Sequence, residues 1–249
     1  MDQARELYRD GKLTEAISCL QLWLRDHPGD RSARSFLFEL LCFAGEFERA
    51  RKQLVVLGQE SGESHLGVAF YLSALTAEVE RQGWYGAPED DAPYPLPDEL
   101  GAPQTGTWNG QPFAGIRDLD GRLGGKFEFL AAGKYHRVDF KNIRRVEFVP
   151  PARLRDMYWR SATLTFSDEL NATEAEILVP ALYPATFLFD DDQTRLGRTT
   201  DFALNEAGEE VPCGQRVLIL GKEEVPIMDL QVLELDAIPG AADDSPQVG

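Results

Sequence analysis

Apolar positions in the first third of the chain recur every three to four residues, the spacing of one face of a helix. Residues 13–26 put Leu13, Ala16, Ile17, Leu20, Trp23 and Leu24 on one stripe. Residues 31–44 do the same with Phe36, Leu37, Leu40, Leu41 and Ala44, and residues 46–58 with Phe47, Ala50, Leu54 and Leu57. A short helix over 2–10 precedes them. A fifth, over 64–82, carries Leu66, Phe70, Leu72, Leu75 and Val79 until Gly83-Trp-Tyr-Gly86 stops it. From Phe113 the period changes to two. Lys126-Phe-Glu-Phe-Leu130 and Tyr135-His-Arg-Val-Asp-Phe140 alternate on either side of Ala132-Gly133-Lys134, which predicts a hairpin. Val146 to Val149 reads as a strand stopped by Pro150-Pro151, followed by a short helical turn over 152–159. Further strands are expected near 161–166, 174–180, 185–190, 216–221 and 227–235. Many short strands punctuated by glycine and proline predict a small barrel or sandwich. The expected fold is α+β in two parts: a helical domain over 1–84 and a mostly-β domain over 113–236.

The helical part repeats itself. Leu7 matches Leu41, Gly11 matches Gly45, Leu13 matches Phe47, Ala16 matches Ala50 and Leu20 matches Leu54, each pair 34 residues apart. That is the period of the tetratricopeptide repeat, a helix–turn–helix unit. Gly11 and Gly45 are expected to end helices in the left-handed region that glycine tolerates. The small Ala16 and Ala50 let paired helices approach closely, and Pro28 ends the second helix. The fifth helix opens a third repeat without a partner helix, so its face needs a cover from the β part or from another chain. In this register Tyr8, Arg9, Ser35, Glu39, Cys42, Ala69, Ser73 and Thr76 line a concave groove suited to a peptide or helix.

Residues 85–112 read as an acidic linker, with six prolines, four glycines and no basic residue. Trp84, Tyr85, Tyr94 and Trp108 are expected to pin it to a surface. Residues 237–249 are expected to be a disordered tail. The 249 residues carry a net charge of −17. So acidic a chain is a poor ligand for nucleic acid or anionic membrane. Residues 126–160 hold nine basic and four acidic residues, and residues 161–236 hold four basic and sixteen acidic. The two stretches are expected to pair inside one domain. Three scattered cysteines, no apolar leader and no long apolar run point to a cytoplasmic protein.

Chemistry is sparse. His27, His65 and His136 have no ligand at zinc spacing. Asp118-Leu-Asp-Gly121 departs from the calcium-loop spacing, and Gly125-Lys126 lacks the flanks of a phosphate loop. Asp190-Asp-Asp192 reads as a solvated loop. Arg155 with Asp156 and Arg198 with Asp201 read as ion pairs that fix irregular segments, since an unpaired buried charge is costly. Nothing assembles a nucleophile and a base, so no enzyme activity and no cofactor are expected.

The ordered motifs of the second part carry a resemblance. They are Asp118-Leu-Asp120-Gly-Arg122-Leu-Gly-Gly125, Leu154-Arg-Asp-Met-Tyr-Trp159-Arg160-Ser-Ala162, Val179-Pro-Ala-Leu-Tyr183-Pro184, Leu196-Gly-Arg198-Thr-Thr-Asp201-Phe and Gly214-Gln-Arg216. Behind a repeat-bearing first half, this set resembles the ImpE family, also called TagJ, of bacterial type VI secretion. Thr173-Glu-Ala-Glu176 stands where the family would have a glycine-bearing turn, and Phe202 where it would have tryptophan. The resemblance implies a non-enzymatic adaptor that binds the N-terminal helix of the sheath small subunit TssB. It also implies an influence on sheath handling with the ATPase ClpV. Asp118, Asp120, Arg155, Asp156, Trp159, Arg160, Tyr183, Arg198 and Asp201 are then structural or interface residues, with Trp159 packed where the short helical turn meets the β part. The alternative from another class is an enzyme or small-ligand-binding β domain carrying a helical interaction module.

Overall fold

The computed structural model describes residues 1–59, 65–86, 104–167, 173–205 and 208–237. Five helices come first: α1 (Asp2–Arg9), α2 (Leu13–Asp26), α3 (Arg31–Phe43), α4 (Phe47–Gln59) and α5 (His65–Gly86). Each packs on the next. The turns after α1 and α3 are built alike. Gly11 has φ +78° and Gly45 has φ +72°. Lys12 N–H donates to the Leu7 carbonyl and Glu46 N–H to the Leu41 carbonyl, which satisfies the last free carbonyls of both helices. The 34-residue sequence repeat is therefore also a repeat of local backbone structure.

Thirteen strands follow among the described residues. β1 (Thr105–Trp108), β2 (Gln111–Ala114), β4 (Lys126–Ala131), β5 (Lys134–Asp139), β6 (Ile143–Phe148), β7 (Trp159–Phe166), β8 (Glu174–Pro180) and β13 (Val232–Leu235) form one antiparallel sheet in the order β2-β1-β13-β6-β7-β8-β4-β5. The sheet ends on β2 and β5 and does not close into a barrel. β3 (Ile116–Asp118), β11 (Val217–Leu220) and β12 (Glu223–Pro226) make a second sheet; β9 (Thr200–Leu204) and β10 (Glu210–Gly214) make a hairpin beside a single helical turn, α6 (Asp192–Arg195).

Several elements differ from expectation. Gly83 does not stop α5, which continues to Gly86 because its last turn is tied down. Tyr85 is buried and donates to Glu128, while the Arg137 guanidinium lies 3.8 Å from the Trp84 ring centroid. Thr105–Trp108 and Gln111–Ala114, read as linker, are strands. Gly106 makes this possible: a Cβ there would sit 2.1 Å from the Glu234 carbonyl oxygen. Trp108 is half-buried against the sheet core, whereas Tyr94 and the tail beyond 237 lie outside the described residues. The expected strand over 185–190 is a 3-10 turn (Pro184–Leu188), because Pro184 starts it and removes a ladder donor. Residues 227–229 are a 3-10 turn that interrupts the expected last strand.

The large sheet is covered on both faces, which its alternation does not announce. Phe127 and Phe129 of β4, Ala162 and Leu164 of β7, and Ile177 and Val179 of β8 pack in one core with Leu218, Leu220 and Val225 of the small sheet. The alternate residues Leu130, Trp159 and Leu178 join the helical core instead. Strands buried on both faces lose the polar-out half of their pattern. Glu128, on the helix-facing side of β4, is accordingly buried.

That carboxylate is the centre of a charged network between the two parts. Arg81 of α5 donates to both its oxygens, from Nε at 2.9 Å and Nη2 at 2.7 Å. Arg81 also donates to Glu78 at 3.0 Å and to the Leu182 carbonyl at 2.9 Å. On the other side Arg216 lies 3.2 Å from Glu128 and donates to Asp118 at 2.7 Å. Tyr135 donates to Glu128 at 2.9 Å, Tyr183 to Asp118 at 3.0 Å, and Trp159 Nε1 to Glu78 at 3.1 Å. The expected pairing of the basic and acidic stretches is thus mostly replaced. Arg145 does pair with Glu234, but the buried pairs join Glu128 to Arg81 and Arg216.

Burial opposes ionisation of Glu128, yet the two guanidinium groups and the hydrogen bonds hold its pKa down at about 2, against 4.5 for a free side chain. A carboxylate with a lowered folded pKa stabilises the protein above its unfolded value, and the effect is lost as pH falls. Unfolding free energy should therefore drop between pH 4.5 and 2, with Glu128 contributing on the order of 3 kcal/mol. Glu128→Gln should cost roughly 3–5 kcal/mol in chemical denaturation at neutral pH, because it removes the shared charge partner of two buried guanidinium groups and leaves each with one carboxylate, Glu78 or Asp118. It should also flatten the acid limb; a wild-type limb in that variant would place the titration on another group. A second outcome concerns the turns. Gly45→Val should cost about 1–3 kcal/mol, since a Cβ there meets the Phe187 ring at 2.7 Å as well as the φ penalty. Gly29→Ala, with no atom within 4 Å of the new Cβ, should leave the melting temperature unchanged in the same assay.

Candidate functional site

The eight groove positions separate into a covered set and an open set. Glu39 and Cys42 are buried. Arg155, from the 3-10 turn Leu154–Met157, lies 3.3 Å from Glu39 of α3. Burial pushes the Glu39 carboxyl up while Arg155 pulls it back. Burial likewise pushes the Cys42 thiol up. Tyr8 is half-buried edge-on against Phe36, and Ser35 is half-buried. The Arg198 guanidinium donates to the carbonyls of Tyr8 at 2.6 Å and exposed Arg9 at 3.1 Å. The chain's own second part therefore occupies much of the groove. Ala69, Ser73 and Thr76 on α5 remain exposed.

The two expected local ion pairs do not form. Arg155 pairs with Glu39, while Asp156 accepts from the backbone N–H groups of Ala152 and Arg153. Arg198 caps α1, while Asp201 accepts from Phe202 N–H at 2.8 Å. Neighbouring or near-neighbouring side chains on a tight turn point apart, so adjacency in sequence did not make partners. Asp118, Tyr183 and Trp159 belong to the buried network, with Trp159 where α5 meets the sheet. Asp120 is buried and holds Arg122 through bonds of 2.9 and 2.7 Å. Arg160 is buried and donates to the carbonyls of Ile227 and Leu230; burial lowers its pKa. The motif residues named here thus contact their own chain.

The open surface is the first half of α5. Leu66 is 86% exposed and Phe70 52% exposed, with Ala69 and Ser73 beside them on the same face. The spacing i, i+3, i+4, i+7 makes a short apolar stripe. Downstream, the β4–β5 hairpin borders the same helix: Gly133 lies beside Ser73, which stays exposed, and Glu80 accepts from Tyr135 N–H. The stripe rests on a rigid aromatic base. Phe70 meets Tyr71 edge-on at 5.1 Å, and Tyr71 stacks near Trp159 at 6.4 Å with the Arg155 guanidinium 4.7 Å from its ring. Periodicity puts Leu66 and Phe70 on a face that needs a cover and leaves open whether the β part or another chain supplies it, because an apolar stripe looks the same in both cases. Glu78, Arg81 and Glu128 were passed over as ordinary charges. The available signal was a charged i, i+3 pair on the same face as Ala74, Leu75 and Ala77.

Among the described residues no group of three or more His, Cys, Asp or Glu could hold a metal ion, and no helix is long and apolar enough to cross a membrane.

Comparison with known proteins gives concordant results. The model of the family described as "ImpE protein" matches residues 110–234. The type VI secretion system accessory component TagJ of Pseudomonas aeruginosa is 30% identical over 262 residues, covering 94% of this chain and 91% of TagJ. A crystal structure of a protein from Vibrio parahaemolyticus superposes with a TM-score of 0.81 at 24% identity, over 94% of this chain and 97% of that one, which establishes the shared fold. With half of its length matched by the family model and nearly all of it aligned to TagJ, the chain belongs to the ImpE/TagJ family.

Proposed function

We infer that this protein is a non-enzymatic, cytoplasmic accessory component of a type VI secretion system. In this reading it binds the N-terminal helix of the sheath small subunit TssB and acts with ClpV on sheath assembly or disassembly. The observation that supports the role is the likeness to TagJ along almost the whole chain. The observation that supports a helical partner is the uncovered stripe on α5. A two-layer repeat leaves the last helix short of a neighbour, and an amphipathic helix supplies one through i, i+3 and i+4 anchors. Leu66 and Phe70 provide apolar area, while Ala69 and Ser73 leave room for a second helix backbone. Thr76, held by a bond to the Leu72 carbonyl, lines the edge. Of the other groove candidates, Tyr8 and Arg9 flank the far end, and Ser35, Glu39 and Cys42 serve the internal packing described above.

A labelled peptide of the TssB N-terminal helix should bind the full chain. Leu66→Glu with Phe70→Glu should weaken it by at least about tenfold, a loss of about 1.4 kcal/mol. The melting temperature should hold, because both side chains are exposed. Ser73→Arg should act in the same direction. Normal affinity in these variants, with loss on Leu22→Glu, would move the surface to the open groove between α1 and α2, where Leu22 lies beside Leu7 and Trp23. No binding by wild type would remove TssB as the partner.

A further inference from the structure

We propose that the outer edge of β9 is a second docking site, which takes an extended, basic and apolar segment of a partner protein as an added strand. The inference is independent of the TssB reading and involves a different surface.

β9 pairs with β10 alone: no other strand lies beside it among the described residues. The bonds at the two ends of the hairpin set which groups remain open. Gln215 N–H donates to the Thr199 carbonyl at 3.0 Å, and Asn205 N–H donates to the Glu209 carbonyl at 2.9 Å. Backbone direction alternates along a strand, so residues 199, 201, 203 and 205 face β10. The peptide groups of Thr200, Phe202 and Leu204 therefore face outward, as a row of ladder positions without a strand against it. Phe202 and Leu204 also expose their side chains, 44% and 69%. β10, by contrast, is closed off: Gly214 bonds to Thr186 and Tyr183, and Val211 and Cys213 pack with Ala185, Phe189 and Ala203. An apolar edge of this kind, mounted on a packed strand, is a template for strand addition.

Charge selects the occupant. The described residues of the hairpin, 199–205 and 208–215, contain Asp201, Glu209 and Glu210 and no lysine or arginine. A second copy of the chain, paired edge to edge, would set these acids against the same acids. A strand with basic residues meets them favourably. Asp201 adds a gate. Its carboxylate accepts the Phe202 N–H at 2.8 Å, so the central outward donor is self-capped until a competing cation draws the carboxylate away. An incoming lysine or arginine would neutralise Asp201 and free that N–H for the added strand in the same step.

The test uses the full chain and three labelled peptides of equal length in fluorescence anisotropy at physiological salt. One alternates lysine with valine, one has the same charge with prolines that bar a strand, and one alternates glutamate with valine. The first should bind at least about tenfold more tightly than the other two. Leu204→Pro removes an outward N–H and none of the bonds to β10, so the hairpin tolerates it. It should weaken binding of the first peptide by at least about tenfold. Leu204→Ser, which removes the exposed apolar side chain without adding charge, should weaken it in the same direction, and covers the case in which the proline disturbs the hairpin. Hydrogen exchange at Thr200 and Leu204 should slow when the first peptide is bound. Equal binding of the proline peptide would reduce the effect to charge attraction and overturn the proposal. So would unchanged affinity in both Leu204 variants. A concentration-dependent dimer abolished by Leu204→Pro would make the occupant a second copy and overturn it as well.

Discussion

The contact between Arg81 and Glu128 joins the two halves of the molecule. Both groups are buried, and a buried ion costs several kcal/mol unless its charge is matched and its remaining hydrogen-bonding positions are filled. Here the matching crosses the interface. Arg81 comes from α5, Glu128 from β4 beside the edge strand of the large sheet, and Arg216 and Asp118 from just before β11 and the end of β3 at the small sheet. Tyrosines 85, 135 and 183 and Trp159 donate to the carboxylates of the network. If α5 moved away from the sheet, several charges would be stranded together. The helical part is therefore less an independent module on a linker than one wall of a shared core.

That lock determines which surfaces remain for partners. A free tetratricopeptide-like hairpin array presents its concave side. In this protein Arg155, Tyr158 and Trp159 pack against residues of α3 and α5, among them Glu39, Phe43 and Tyr71. Phe43 meets Tyr158 edge-on at 5.3 Å, and Glu39 has its cation inside the molecule. Two of the surfaces left open lie where packing runs out. One is the start of α5, before the stretch that the β4–β5 hairpin borders. The other is the far edge of β9, where the hairpin projects from the body. Both expose large apolar groups on a rigid backing, which is how a binding surface differs from a solvated loop.

Legibility in the sequence varied with how local each cause was. Helices α1 to α4, the glycine turns at 11 and 45 and the β4–β5 hairpin follow from interactions within a few residues, and they stand where the pattern placed them. Ala132 and Gly133 both adopt positive φ, as a tight hairpin between right-twisted strands requires. The end of α5 and the strands β1 and β2 were misread because composition was taken for conformation. Gly83 costs a helix about 1 kcal/mol, and the anchoring of Tyr85 and Trp84 outweighs it. The proline-rich stretch yields strands because β13 offers Gly106 a ladder. The candidate site was half legible: Ala69, Ser73 and Thr76 stayed open, whereas Glu39 and Cys42 were taken by side chains more than a hundred residues away or buried behind them.

From the sequence alone came the order of the five helices, the β4–β5 hairpin, the 34-residue repeat, the acidic net charge and the family resemblance carried by the ordered motifs. These rest on periodicity, on backbone limits of glycine and proline, and on residue types counted along the chain. The tertiary structure decided which apolar faces are buried and which charges are paired. Leu75 and Phe70 share one helix and one kind of periodicity, yet one is buried and the other is open, because only the folded chain brings a sheet over the first. Arg81 finds Glu128 rather than a neighbour on its own helix face alone, because desolvation makes every ionised group at the interface seek a partner, whatever its distance along the chain.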